Sequence, residues 1–214
     1  MLKTLWNIWI ECRQVNTSVF FVLIRNLKYR LLHSNIICSN GVTIKGGKNI
    51  STSGMLRIGM SSIGFMNRHD RTFLNVNGQL VFNGDYSIGK GCRFDIGSNA
   101  KATFGNGYVN PNTTFIIMHG ITVGDNCVIS WGCQFLDEDF HHLQYSNMSI
   151  KADNTIRIGS HVWIACNVLI LKGTVIPDGC MIAAGSVVNS VFSMKNALIG
   201  GNPARIIREN IFWE

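Results

Sequence analysis

Ile158 to Val188 reads IGSHVWIACNVLILKGTVIPDGCMIAAGSVV, and an aliphatic residue recurs at every sixth position: Ile158, Ile164, Ile170, Ile176, Ile182 and Val188. Four residues after each of the first five stands a small or β-branched one: Val162, Val168, Thr174, Cys180 and Ser186. An amphipathic helix would space its apolar residues by three to four and a strand by two, so a period of six fits neither. It fits a coil of short strands and tight corners, in which each six-residue side turns one bulky and one small side chain inward. Stacked coils then bury ladders of like residues. The beat returns upstream in other phases, first as Val76, Phe82, Ile88 and Phe94 with Leu80, Tyr86, Cys92 and Ser98. A second block has Ile117, Val123, Ile129 and Phe135 with Ile121, Cys127 and Cys133. The slips between blocks predict irregular corners or loops near 99–112 and 137–156. The later slip interrupts the most regular stretch, where so long a break marks either a functional loop or a disordered one.

Composition agrees with a folded, turn-rich β protein. The chain has 214 residues, of which 46% are hydrophobic and 14% charged, too apolar for disorder; 22 glycines against three prolines call for many tight corners. Seven cysteines (Cys12, Cys38, Cys92, Cys127, Cys133, Cys166 and Cys180) show no CxxC pair and no metal-ligand spacing. They read as reduced, small core residues of a cytoplasmic protein. A net charge of +7 suits nucleic acid, a membrane surface or a phosphate-rich cofactor without choosing among them. The apolar run Val19 to Ile24, VFFVLI, is too short to span a bilayer and has no cleavage site after it. Around it, Ser18 to Leu32 is apolar over most of one helical face, with Arg25, Lys28 and Arg30 nearby. Such a segment packs on the body of the protein or lies on a membrane surface. The expected organisation is a helical segment over 1–35, a β-solenoid over 36–198 with a protruding loop near 137–156, and a tail over 199–214.

The run 158–188 resembles the hallmark repeat of the hexapeptide-repeat acyltransferases, and Ile199 to Arg208, IGGNPARIIR, resembles the closing motif of that family. The resemblance covers roughly residues 40 to 208 and is nearest to the O-acetyltransferases of surface-polysaccharide gene clusters. It implies an all-β solenoid, a left-handed parallel β-helix of triangular section. It also implies transfer of acetyl from acetyl-CoA to a sugar hydroxyl, and a homotrimer with active sites between subunits. No metal and no nucleic acid belong to that picture.

An alcohol is a poor nucleophile until a base begins to take its proton, and histidine is the natural base. Four of the six histidines are set aside by position: His33 in the N-terminal segment, His69 in a charged turn, His119 beside Gly120 at a corner, and His161 at an outward position of the repeat. His141 and His142 remain, in LDEDFHHL, where the beat breaks among Asp137, Glu138 and Asp139. A carboxylate beside an imidazole can fix its tautomer. The resemblance places a D-x-D-x-H arrangement on Asp137, Asp139 and His141, making His141 the base and Asp139 its orienting group, with Asp137 and His142 toward the acceptor. It also implies that Trp163 lines the acceptor or pantetheine region, that backbone amides at Ala165 and Ala184 hold the thioester arm, and that Cys166 stands where relatives carry an oxyanion-stabilising serine. Asn110, with Asn112 close by, matches an acetyl-contacting asparagine. Arg205 and Arg208, with Lys172, are the cations for the phosphates of CoA.

The same fold has two other uses. A zinc-dependent hydratase would need three histidines at a spacing that His119, His141 and His142 do not reproduce. A non-catalytic glycan-binding solenoid would not bind CoA. Within acyl transfer, the alternative is N-acylation of an amino sugar on a nucleotide carrier.

Overall fold

The computed structural model describes residues 2–67, 69–141 and 153–214. From Ile36 onward, successive strands fall on three sheets in rotation, so each strand pairs in parallel with the strand one coil later. Among the described residues the first face has nine strands, from Ile36–Cys38 to Ala204–Arg208; the second seven, from Val42–Lys45 to Val187–Val188; the third six, from Ile50–Thr52 to Val175–Ile176. The result is a triangular prism with its core inside. Among the described residues only Leu198–Gly201 and Ala204–Arg208 pair antiparallel, as a hairpin closing the first face.

Register explains why the sixfold beat is clean in one region and slips in others. In the last coils Trp163 pairs with Met181 and Leu169 with Val187, three sides of six residues each. In the middle coils Ser87 pairs with Tyr108 and Tyr108 with Val128, so extra residues sit at the corners and shift the phase. Of the irregular corners or loops expected near 99–112, the structure has the corners: Lys101–Phe104 and Gly107–Val109 are regular strands. A different interruption went unread. Arg57 pairs with Ser87, and the excess residues lie between Leu56–Ile58 and Thr72–Val76.

The inward residues read from the repeat are buried, from Val76 to Phe135 and from Ile158 to Val188, with one correction. Ser98 is exposed at a corner, and Ala100 takes the inside position. Aromatic ladders fill the wider middle coils: Phe94, Phe115 and Phe135 stack with centroids 4.4 Å apart at each step. All seven cysteines are free thiols and six are buried. Burial pushes Cys92 up to about 12 and Cys127 and Cys133 to about 11, so these thiols stay protonated and act as small apolar groups. Corners depend on the left-handed conformation. Gly132 has φ +71, and a Cβ there would lie 2.4 Å from the side-chain oxygen of Asn167, itself at φ 57 on the next coil.

Two helices precede the prism, α1 (Leu2–Gln14) and α2 (Val19–Arg30). Tyr29 of α2 joins the prism core, while Val22, Ile8 and Cys12 form a second cluster with Ile37 and Met60 outside the first strands. At the other end, Leu198–Gly201 continues the first face, so the segment expected as a tail from 199 opens inside the sheet. Beyond the hairpin the chain folds back, and Trp213 stacks on His161 with centroids 4.1 Å apart.

Candidate active site

The long interruption leaves the prism at the edge between the second and third faces. Asp137, the first residue past the strand Gln134–Leu136, is fully buried. One carboxylate oxygen accepts the N–H of Met118 at 2.6 Å, and the other accepts those of His119 and Gly120 at 2.8 and 2.7 Å. Both oxygens are spent on the neighbouring corner, which corrects the expectation that Asp137 faces an acceptor: it staples two coils together. Asp139 also differs from expectation. Its carboxylate pairs with Lys172, and no described bond joins it to His141; Phe140, at φ 61, turns the chain between them. His141 is exposed at the start of the loop, and His142 lies outside the described residues.

The imidazole–carboxylate pair that does form here is His119 with Glu138, Nε2 to Oε2 at 2.7 Å. Glu138 also accepts the N–H groups of Asp139 and Phe140 at 2.9 and 3.2 Å. The His119 bond first, and then these backbone donors, hold the Glu138 carboxyl below the usual range. Sequence reasoning sets His119 aside, because the pairing of residues 114–116 with Gln134–Leu136 that brings it beside Glu138 is set by the stacking of coils and not by the local sequence. On the return side of the loop, Asp153 accepts from Thr155 N and Oγ1 at 3.0 and 2.6 Å and from Arg157 Nη2 at 2.6 Å. Thr155 and then Arg157 hold its carboxyl far below the usual range. Both ends of the loop are thus anchored by carboxylates.

The remaining predicted residues gather at or near the edge between the first and second faces. Trp163 Nε1 donates to Ser130 Oγ at 3.3 Å. Asn110 lines a depression of about 370 Å³ with Arg57, Ser61, Ile63, Ser87 and Tyr108. Asn112 is separated from this role, since at φ 61 its side chain lies over Gly91 of the previous coil. The unread insertion at 59–71 stands over the same edge, and its Phe65 meets Trp131 edge-on at 5.4 Å.

Ala165 requires a correction. Its N–H donates to Ile182 O at 3.0 Å and its carbonyl accepts the Cys133 thiol at 3.1 Å, so its backbone belongs to the coil and is not free for a thioester. Cys166 is half-buried beside it, and Ala184 is exposed one coil on. Arg205 pairs in register with Gly200, whose Cα region abuts Ala183 and Ser186, so Arg205 stands beside the Ala184 corner. Arg208 is exposed further along the same hairpin strand, opposite Leu198. Lys172, paired with Asp139, stands at the other edge and does not join these arginines.

The predicted residues therefore form two groups at opposite margins of the second face. His141, Asp137 and Asp139 stand at one margin. Asn110, Ala165, Cys166 and Ala184 stand at the other, with Trp163 on the adjoining strand. One chain by itself does not bring them together.

Residues 155–190 match the family model described as bacterial transferase hexapeptide, six repeats. Over 95% of its length the chain is 40% identical to an uncharacterised 24.8 kDa protein of the cps region of Klebsiella pneumoniae, covering 93% of that protein. It is 34% identical to the polysialic acid O-acetyltransferase of Neisseria meningitidis over 59% of this chain and 57% of that one. Among solved structures, the polysialic acid-specific acetyltransferase NeuO superposes with a TM-score of 0.50 at 21% identity, covering 85% of this chain and 78% of NeuO. That likeness shows the fold, the left-handed parallel β-helix that the family resemblance implies.

Proposed function

We propose that this chain, which belongs to the bacterial hexapeptide-repeat transferases, moves an acetyl group from acetyl-CoA to a hydroxyl of a sugar in a surface polysaccharide or oligosaccharide. The observation that carries the reading is the break in the coil after Asp137, which brings an exposed histidine to the margin of a prism whose opposite margin holds Asn110, Cys166 and Ala184. In a homotrimer the margin of one subunit that bears His141 faces the first–second edge of its neighbour, and the two groups complete one site.

In that site His141 accepts the proton of the sugar hydroxyl as its oxygen attacks the thioester carbonyl carbon. The carbonyl π electrons move onto oxygen, where Cys166 and the neighbouring backbone stabilise the oxyanion. The tetrahedral intermediate collapses, the C–S bond breaks, and the imidazolium returns its proton to the departing thiolate. The products are an ester and free CoA. Asp139 acts through its pairing with Lys172, which fixes the loop that carries the base. The pantetheine arm runs past Trp163 and Ala184, and Arg205 and Arg208 meet the CoA phosphates. The depression beside Asn110 takes the acceptor sugar. Such a reaction belongs in the cytoplasm, where the acyl donor is made.

The deciding experiment incubates the protein with acetyl-CoA and a panel of cell-envelope oligosaccharides, reads release of the CoA thiol, and weighs the product. An acetylated product that loses its acetyl group in mild base supports an O-ester. A base-stable product moves the reading to N-acylation, and absence of CoA binding in calorimetry overturns it.

A further inference from the structure

Helix α2 is inside out. The positions it turns toward the first coil, Val22, Arg25, Asn26 and Tyr29, follow helical spacing and are half polar. Arg25 donates to Ser39 O and Val42 O at 3.0 and 2.9 Å, and Asn26 Nδ2 to Ile36 O at 2.9 Å. These bonds satisfy carbonyls of the first coil, the task of a solenoid cap. A cap of that kind ordinarily shows a polar outer face, because it ends the stack in water. Here the outer stripe is Phe20, Ile24, Leu27 and Leu31, a complete i, i+4, i+7, i+11 set. Phe20 is 67% exposed, Leu27 62% and Leu31 76%, with Phe21, Leu23 and Leu32 also open.

Helix α1 adds to the same kind of surface. Ile8 and Cys12 are its buried side, while Trp6, Trp9 and Ile10 are exposed and the two indoles stack at 5.0 Å. The charge around this surface has one sign. Arg13 lies over the Trp9 ring, and Lys28 and Arg30 are exposed in the last turn of α2. The acid of the two helices, Glu11, is turned inward to Arg57. No described helix is long and apolar enough to cross a membrane.

We propose that the outer faces of α1 and α2 seat the protein on the surface of an anionic lipid bilayer, with Phe20, Leu27 and Leu31 among the acyl chains, Trp6 and Trp9 at the headgroup boundary, and Arg13, Lys28 and Arg30 against lipid phosphates. Exposed apolar side chains on short helices, indoles and a cationic rim are the three components of an interfacial anchor. A second copy of the chain fits less well, since its own face would bring the same three cations together. The proposal stands independently of the acyl-transfer reading.

Flotation tests it with the full chain and vesicles of phosphatidylcholine alone or with phosphatidylglycerol at three parts in ten. The expected result is co-flotation with the anionic vesicles, several-fold less with neutral ones, and a loss of at least tenfold in a double variant with Phe20→Glu and Leu27→Glu. Both side chains are exposed, so thermal melting and CoA binding stay unchanged in that variant. Wild-type protein that remains in the soluble fraction with anionic vesicles overturns the proposal. So does light scattering that shows a larger assembly dissociated by the same double variant, which would make the face a protein interface.

Discussion

Two margins of one sheet interrupt the solenoid in opposite ways. At the edge between the first and second faces, the insertion at 59–71 comes back onto the prism and seats an aromatic ring, Phe65 against Trp131. At the edge between the second and third faces, the chain past Asp137 is held at its two ends by carboxylates: Asp137 on three backbone N–H groups, and Asp153 on Thr155 and Arg157. One insertion adds cover to a surface; the other anchors its ends and releases a histidine between them. Adjacent acids in the sequence therefore do unlike work, and in the second loop the buried one is structural.

The proposed division of labour breaks first at His141. His141→Ala is expected to lower turnover by on the order of 10²- to 10⁴-fold, the range of a lost general base, with melting and CoA binding unchanged because the side chain is exposed. Unchanged turnover would remove the histidine from the mechanism. The two-margin arrangement itself is tested by mixing two inactive chains, His141→Ala and Ala184→Trp, the second blocking the donor groove. With random assembly of an equal mixture, about a quarter of all sites join two intact margins, so activity returns to about a quarter of wild type. A mixture that stays inactive would put the site within one chain.

Asp137→Ala sharpens the contrast between adjacent acids. It strands three backbone donors in a buried corner and is expected to destabilise the fold by about 3 kcal/mol, measured by denaturant midpoint. Asp139→Asn, on an exposed ion pair, should change stability by less than about 1 kcal/mol and turnover only severalfold. The smallest effect belongs to Glu138. Its carboxyl titrates lower in the folded chain than in the unfolded one, so its contribution is fully present above the unfolded value, about pH 4.3, and fades as pH falls through the folded value. Glu138→Gln should flatten that acid limb of the melting profile by lowering stability slightly at neutral pH, with no change below the folded value.

The repeat was legible where each side of the coil holds six residues. The register of Trp163 with Met181 makes periodicity and structure the same statement there. It was illegible at 59–71, because an insertion that folds onto the surface leaves no period to detect, and only half legible at 99–112, where a phase slip marks an irregular corner and a loop alike and the structure has extra corner residues between regular strands. The candidate site divides in the same way. The break around His141 could be seen, but the partners of the acids could not, since Asp137, Glu138 and Asp139 differ only in what the neighbouring coils bring to them.

By itself, the sequence determined a stack of β coils with inward ladders, because burying one bulky and one small side chain per six residues is a local rule repeated along the chain. Only the tertiary structure decided which acid is a staple, that His119 holds the Glu138 carboxylate, and that α2 turns Arg25 inward and Leu27 out. Those choices depend on residues about a coil or more apart being brought within 3 Å of each other, and no local rule carries that distance.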